Sequence, residues 1–289
     1  MSKFLTAALF STMFVSAIML AVPACDRPGT DPEPEYLRLD DTPRWSNAGD
    51  RLVFYAPGYR DSIPGPVLYV VDTTGENLHK VAVGGAIGIW LPGDTQLVVM
   101  GVDFKLYTLD LRKDSLSLLC DCAFARFPEL DPTGRYLYYE DAGVANGWAT
   151  SIFRMDLTTR DTTHIVGGSY PVISPDGNRL LFERSNLLNC YDLTSDSEWV
   201  VFSPGFQAHS DWSPDGSEII VGNVLREGYY RNLYKVKPNG SDRRYFMDGL
   251  SPQYSPSGHR IAVARFGSDK RTHIWLIDPD GGNPKQITF

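Results

Sequence analysis

An all-β fold, a six-bladed β-propeller of four-stranded antiparallel blades, is predicted by three features of this sequence. One turn recurs six times at near-constant spacing, and a short apolar run of strand length follows each copy. Each unit then leaves room for two more short strands before the next turn. Four short strands in about 40–45 residues, repeated, is a radial β-architecture.

The turn that joins strands one and two reads Ser46-Asn47-Ala48-Gly49, Leu91-Pro92-Gly93-Asp94, Asp131-Pro132-Thr133-Gly134, Ser174-Pro175-Asp176-Gly177, Ser213-Pro214-Asp215-Gly216 and Ser255-Pro256-Ser257-Gly258. Its second positions are spaced by 45, 40, 43, 39 and 42 residues. Pro presets φ for the first corner of a type I turn, and Asp, Thr or Ser tolerates the second. Gly then takes the left-handed conformation that closes a three-residue hairpin. The flanks are therefore expected to be antiparallel strands.

The second strand is apolar in every copy: Leu52-Val53-Phe54, Leu97-Val98-Val99, Leu137-Tyr138-Tyr139, Leu180-Leu181-Phe182, Ile219-Ile220-Val221 and Ile261-Ala262-Val263. Such runs fit strands buried on both faces. The third strand places an aromatic three residues before a polar end, as in Tyr69 to Asp72, Tyr107 to Asp110, Phe153 to Asp156, Tyr234 to Lys237 and Trp275 to Asp278. The fourth copy departs, with Asn189 before Asp192. A Gly- or Thr-containing turn and a fourth short strand follow, as in Asp278-Pro279-Asp280-Gly281 and then Gln286-Ile287-Thr288-Phe289. Residues 36–289 divide into six units of about 42. Two closures stay open: Gln286 to Phe289 completes the sixth unit, or Tyr36-Leu37-Arg38-Leu39 pairs onto the last blade.

Trp212-Ser213-Pro214-Asp215-Gly216-Ser217-Glu218-Ile219-Ile220 and Ile274-Trp275-Leu276-Ile277-Asp278-Pro279-Asp280-Gly281-Gly282-Asn283 resemble the TolB-type propeller repeat. The resemblance covers about residues 40–289 and is specific for fold rather than function. It implies binding at the propeller mouth, with an envelope protein such as a peptidoglycan-associated lipoprotein as the partner. It also touches peptidases, which use this propeller as a gate, and propeller lyases.

The chain of 289 residues, 43% of them hydrophobic, can bury a full core, which excludes disordered, collagen-like and multi-pass membrane classes. Its 27 Lys and Arg against 35 Asp and Glu give a net charge of −8, which argues against nucleic acid as a partner. A monomer is expected.

Residues 1–24 read as an export signal: Lys3, an apolar run from Phe4 to Val22, then small residues. The stretch Leu20-Ala21-Val22-Pro23-Ala24-Cys25 resembles a bacterial lipobox, which implies acylation at Cys25 and anchoring by lipid. Residues 25–35 would then be the lipidated Cys and a Pro-rich tether, carrying Pro28, Pro32 and Pro34, and 36–289 the propeller. In enterobacterial lipoproteins an Asp directly after the Cys, as Asp26 is here, favours retention at the inner membrane; inner and outer membrane both stay open for this chain. The expected location is the periplasmic face of a bacterial membrane. Cleavage after Val22-Pro23-Ala24 would instead release a soluble periplasmic protein.

No catalytic set stands out. A Gly-x-Ser-x-Gly elbow is absent from the sequence, and on a strand Ser210 points away from His209 and Asp211. His79, His164, His209, His259 and His273 never fall at metal-ligand spacing, so neither metal nor cofactor is expected. Only His209, just before Trp212, is placed for the central channel. If the segment is extended, Cys120 and Cys122 face one side and a tight bridge between them would be strained; Cys190 reads as a buried apolar residue, so no structural disulfide is expected.

Strand alternation sorts the connections. Turns between strands one and two, and between three and four, share one rim and are short. Links between strands two and three, and between blades, share the other, which carries the long, irregular loops 56–66, 141–150, 223–231 and 266–272. That rim carries Tyr59, Trp148, Arg226, Tyr229, Tyr230, Arg231, Lys270 and Arg271. Tyr, Trp and Arg dominate interface energetics, so these residues are the candidate partner-binding surface. The rival readings are a carbohydrate lyase or hydrolase, or a glycan-binding module, using the central channel.

Overall fold

The computed structural model describes residues 41–57, 66–83, 85–122, 124–143, 150–203, 209–224, 231–269 and 271–289. Every regular element among them is a strand. Blade 1 holds β1 (Asp41–Trp45), β2 (Arg51–Pro57), β3 (Pro66–Asp72) and β4 (His79–Val83). Blade 2 holds β5 (Gly85–Trp90), β6 (Gln96–Gly101), β7 (Leu106–Asp110) and β8 (Ser115–Cys120). Blade 3 holds β9 (Ala125–Leu130), β10 (Tyr136–Asp141), β11 (Ser151–Asp156) and β12 (Thr162–Gly167). Blade 4 holds β13 (Ser169–Ile173), β14 (Arg179–Arg184), β15 (Leu187–Asp192) and β16 (Ser197–Phe202). Blade 5 holds β17 (Ser210–Trp212), β18 (Ile219–Val224), β19 (Arg231–Val236) and β20 (Arg244–Asp248). Blade 6 holds β21 (Leu250–Tyr254), β22 (Ile261–Phe266), β23 (Thr272–Ile277) and β24 (Lys285–Gln286). The six sheets each run in chain order, so repeat units and blades coincide. The alternative closure through Tyr36 to Leu39 lies outside the described residues.

The core is not inside the blades but between them. Side chains alternate across a strand, so Leu52 and Phe54 point to one side of their sheet and Val53 to the other. Leu52 and Phe54 join a cluster with Ala262, Ile274 and Ile287 of blade 6, whereas Val53 joins Trp90, Leu97 and Val99 of blade 2. The same division recurs around the ring, giving six clusters, one at each blade–blade junction. This explains the unbroken apolar second strands. Each fully buried Leu, Ile or Phe there contributes about 1.5–3 kcal/mol.

The recurrent turn also ties neighbours together. Gly49, Gly134, Gly177, Gly216 and Gly258 all have φ between 69° and 73°, the left-handed region expected of them. In blade 2 Asp94 takes that place, at φ 53°, and its carboxylate accepts the N–H groups of Asn47 and Ala48 in the turn of blade 1. Gly134 sits against Pro92, Gly177 against Pro132, Gly258 against Pro214, and Gly49 against Pro256. The last contact joins blade 1 to blade 6 in the manner of the others. Indole N–H bonds add a second tie: Trp90 to the Arg44 carbonyl (3.0 Å), Trp212 to that of Val172 (3.3 Å), and Trp45 to that of Gln253 (3.1 Å).

One expectation is corrected. Cys120 and Cys122 form a disulfide. The chain curls as β8 ends, bringing their Cα atoms to 5.2 Å, so the extended geometry assumed from the sequence does not apply. Cys190 is fully buried on β15.

Candidate functional site

The inner strands β1, β5, β9, β13, β17 and β21 surround the axis, and a shared irregularity aims their side chains at it. In five of them the pairing register slips by a residue near the start. Such bulges re-aim side chains. Thr42, Phe127, Tyr170 and Ser251 sit there with φ of 49°, 48°, 55° and 46°. Each lies three residues before its blade's inner-strand end, as do Ile87 and His209 in the remaining blades.

Four of these equivalent side chains meet around the ring. Phe127 packs on Tyr170 (ring centroids 4.1 Å), and Tyr170 packs on His209 (5.6 Å). His209 Nδ1 lies 2.9 Å from Ser251 Oγ, which donates to Asp41 Oδ1. Burial lowers the His209 pKa against the opposing pull of Asp41, so its neutral form is favoured. With the hydroxyl proton on Asp41, Nδ1–H donates to Ser251. The serine is therefore an acceptor from histidine and is not activated by it.

A second layer lies nearer the short-turn rim and is charged. Arg44 of blade 1 reaches Glu129 of blade 3 at 3.4 Å. Asp211 of blade 5 accepts the Tyr254 N–H at 2.7 Å. Burial raises the Glu129 pKa, opposed by Arg44. Burial first, and the nearby Glu129 second, push Asp211 up to about 7. One guanidinium thus serves two carboxyls in a low-dielectric space, and one of the two carboxyls keeps its proton near neutrality. Toward the other mouth, the buried Glu140 binds Arg126 and accepts the Tyr170 N–H at 3.2 Å.

The contiguous His209, Ser210 and Asp211 are split as alternation requires: His209 bonds Ser251, Asp211 bonds the Tyr254 backbone, and Ser210 is buried in its sheet. Among the described residues no group of three His, Cys, Asp or Glu could hold a metal ion.

The rim residues expected to bind a partner are placed less fully. Tyr59, Trp148, Arg226, Tyr229, Tyr230 and Lys270 lie outside the described residues, as does Cys25. Arg231 opens β19, and Arg271 is half-buried in the connection from β22 to β23. Two apolar side chains stand exposed on the same rim, Val102 after β6 (55%) and Phe266 at the end of β22 (52%).

No family model matches the sequence. An uncharacterized peptidase, YuxL, of Bacillus subtilis (strain 168) is 30% identical over 122 residues, which is 37% of this chain and 18% of that protein. Among solved structures, TolB from Acinetobacter baumannii is similar with a TM-score of 0.69 at 19% identity, over 82% of this chain and 63% of that one. A putative TolB from Agrobacterium tumefaciens follows at 0.63 and 19%, over 73% and 84%. An oligogalacturonate lyase in complex with manganese reaches 0.58 at 14% identity, over 88% and 77%. At these identities the likeness is one of fold. This chain spans less than a fifth of the matched peptidase and under two thirds of the first TolB chain.

Proposed function

We propose that this protein is a non-catalytic propeller that binds another envelope protein through its long-loop rim, held by lipid at Cys25 on the periplasmic face of a bacterial membrane. The observation that carries the reading is the contrast between rims. One rim is closed by near-identical turns whose polar groups bond to each other and to the next blade. The other bears connections of uneven length, from one residue between β12 and β13 to nine between β10 and β11, and exposes Val102 and Phe266. Variable loops on a rigid scaffold suit recognition. The channel supports the same reading, because Arg44 pairs with Glu129, and His209, Ser251 and Asp41 bond in series. The TolB likeness suggests a partner of the kind the repeat resemblance implies, a peptidoglycan-associated lipoprotein.

A second reading, a carbohydrate lyase or hydrolase acting in the channel, draws on the convergence of Arg44, Glu129, His209 and Asp211. Co-purification from native membranes separates the two. The wild-type chain should retain a partner that the Tyr229→Ala, Tyr230→Ala, Arg231→Ala triple variant loses. Cys25→Ser should shift the protein to the soluble fraction. Unchanged partner recovery by the triple variant would remove this rim from consideration.

A further inference from the structure

A cleft of about 420 Å³ opens on the outer wall between blades 4 and 5, on the side of the short turns. Arg179, Asp192 and Trp199 line it from blade 4, and Ser217, Lys237 and Asn239 from blade 5. An equivalent cleft between blades 2 and 3 is lined by Gln96, Asp110 and Ser117 at the positions of Arg179, Asp192 and Trp199. The hollow is therefore part of the scaffold, whereas the cation and indole belong to this copy.

Arg179 is the unusual member. The matching Arg51 donates to the Asp94 carbonyl, and the matching Arg260 pairs with Asp278 at 2.8 Å. The guanidinium of Arg179 makes no hydrogen bond or ion pair among the described residues. Asp176, already bonded to Ser174 and Asn178, acts on it only electrostatically. Trp199 is fixed in the wall by its Nε1–H bond to the Pro238 carbonyl (2.8 Å). Lys237 adds a second cation, paired with the exposed Asp242 at 3.4 Å. Asp192 turns Oδ1 onto the N–H groups of Thr194 and Ser195.

We propose that this cleft binds an anionic sugar ring through its carboxylate, independently of the long-loop rim. Arg179 presents the fork that matches a carboxylate, with Lys237 as supporting charge. The Trp199 face offers an apolar surface for the ring C–H groups. Ser217, Asn239 and the remaining oxygen of Asp192 supply donors and acceptors for hydroxyls. A single pyranose with its substituents fits a cleft of this size.

Isothermal titration of the full-length protein tests it, with methyl glucuronoside, methyl glucoside and inorganic phosphate as probes. The glucuronoside should bind at least tenfold more tightly than either control. Arg179→Gln should weaken it at least tenfold while melting like the wild type, because that guanidinium holds nothing in the fold. Trp199→Phe should weaken it severalfold. Equal affinity for the glucoside, equal affinity for phosphate, no heat with the glucuronoside, or an unaltered Arg179→Gln variant would each overturn the assignment.

Discussion

Asp211 carries the most distinctive chemistry of any single residue in this propeller. Its folded pKa of about 7 stands well above the unfolded carboxyl value, because burial and Glu129 both favour the protonated form. A raised carboxyl pKa contributes stability that is complete below the unfolded value and is lost as pH rises through the folded one. Asp72, Asp110, Asp156 and Asp192 work in the opposite sense. Side-chain or backbone hydrogen bonds hold them below the usual range despite some desolvation, so their contribution is lost as the solution turns strongly acidic. Thermal stability should therefore fall on both sides of a mildly acidic optimum. Asp211→Asn keeps an acceptor for the Tyr254 N–H and abolishes the titration. It should raise stability at pH 8 by on the order of 4 kcal/mol and leave it nearly unchanged at pH 3, below the unfolded carboxyl value. Melting curves across pH check this, and an unaltered alkaline limb in the variant would count against it.

At the scale of elements, the turns show what the sequence can and cannot reveal. Their Pro and Gly positions are legible because backbone geometry restricts which residues fit, and the strands follow from the turns. That the turns also nest on the neighbouring blade was not legible. It depends on how Gly134 meets Pro92, a contact between residues 42 apart that no local pattern encodes. Gly134→Ala and Gly216→Ala separate the two effects. Both place a side chain at a similar φ, 72° and 69°. Each should lose about 1 kcal/mol to left-handed strain. A Cβ at Gly134 would in addition overlap Pro92, whereas at Gly216 nothing lies within 4 Å. The alanine at 134 should therefore lower the melting temperature clearly more, and equal losses would refute turn nesting. The inner strands were the harder element. Their equivalent position holds Thr42, Ile87, Phe127, Tyr170, His209 and Ser251, six different residue types without a common signature. Counting back three residues from each inner-strand end would have found it, but only the structure shows why that position matters. The disulfide was missed for a related reason: sequence spacing assumed an extended strand where the chain bends.

Over the whole molecule, stability is shared and function is divided. Because the six clusters lie at junctions, no blade owns a core, and blade 1 packs on blade 6 as it would on any neighbour. Removing a blade would expose two apolar faces, so the ring should melt as one unit. The sixfold fold was fully legible from the period. The proposed binding surface was legible only as a rim, since its loops follow no repeat. The opposite rim and outer wall carry separate chemistry, which makes the division testable. A photo-crosslinking side chain installed at Tyr229, and in parallel at Thr194 on the short-turn rim, addresses the central claim in intact cells. The account expects a crosslinked envelope protein from position 229 and none from 194. The same product from both positions, a product from 194 alone, or no product from 229 would contradict it.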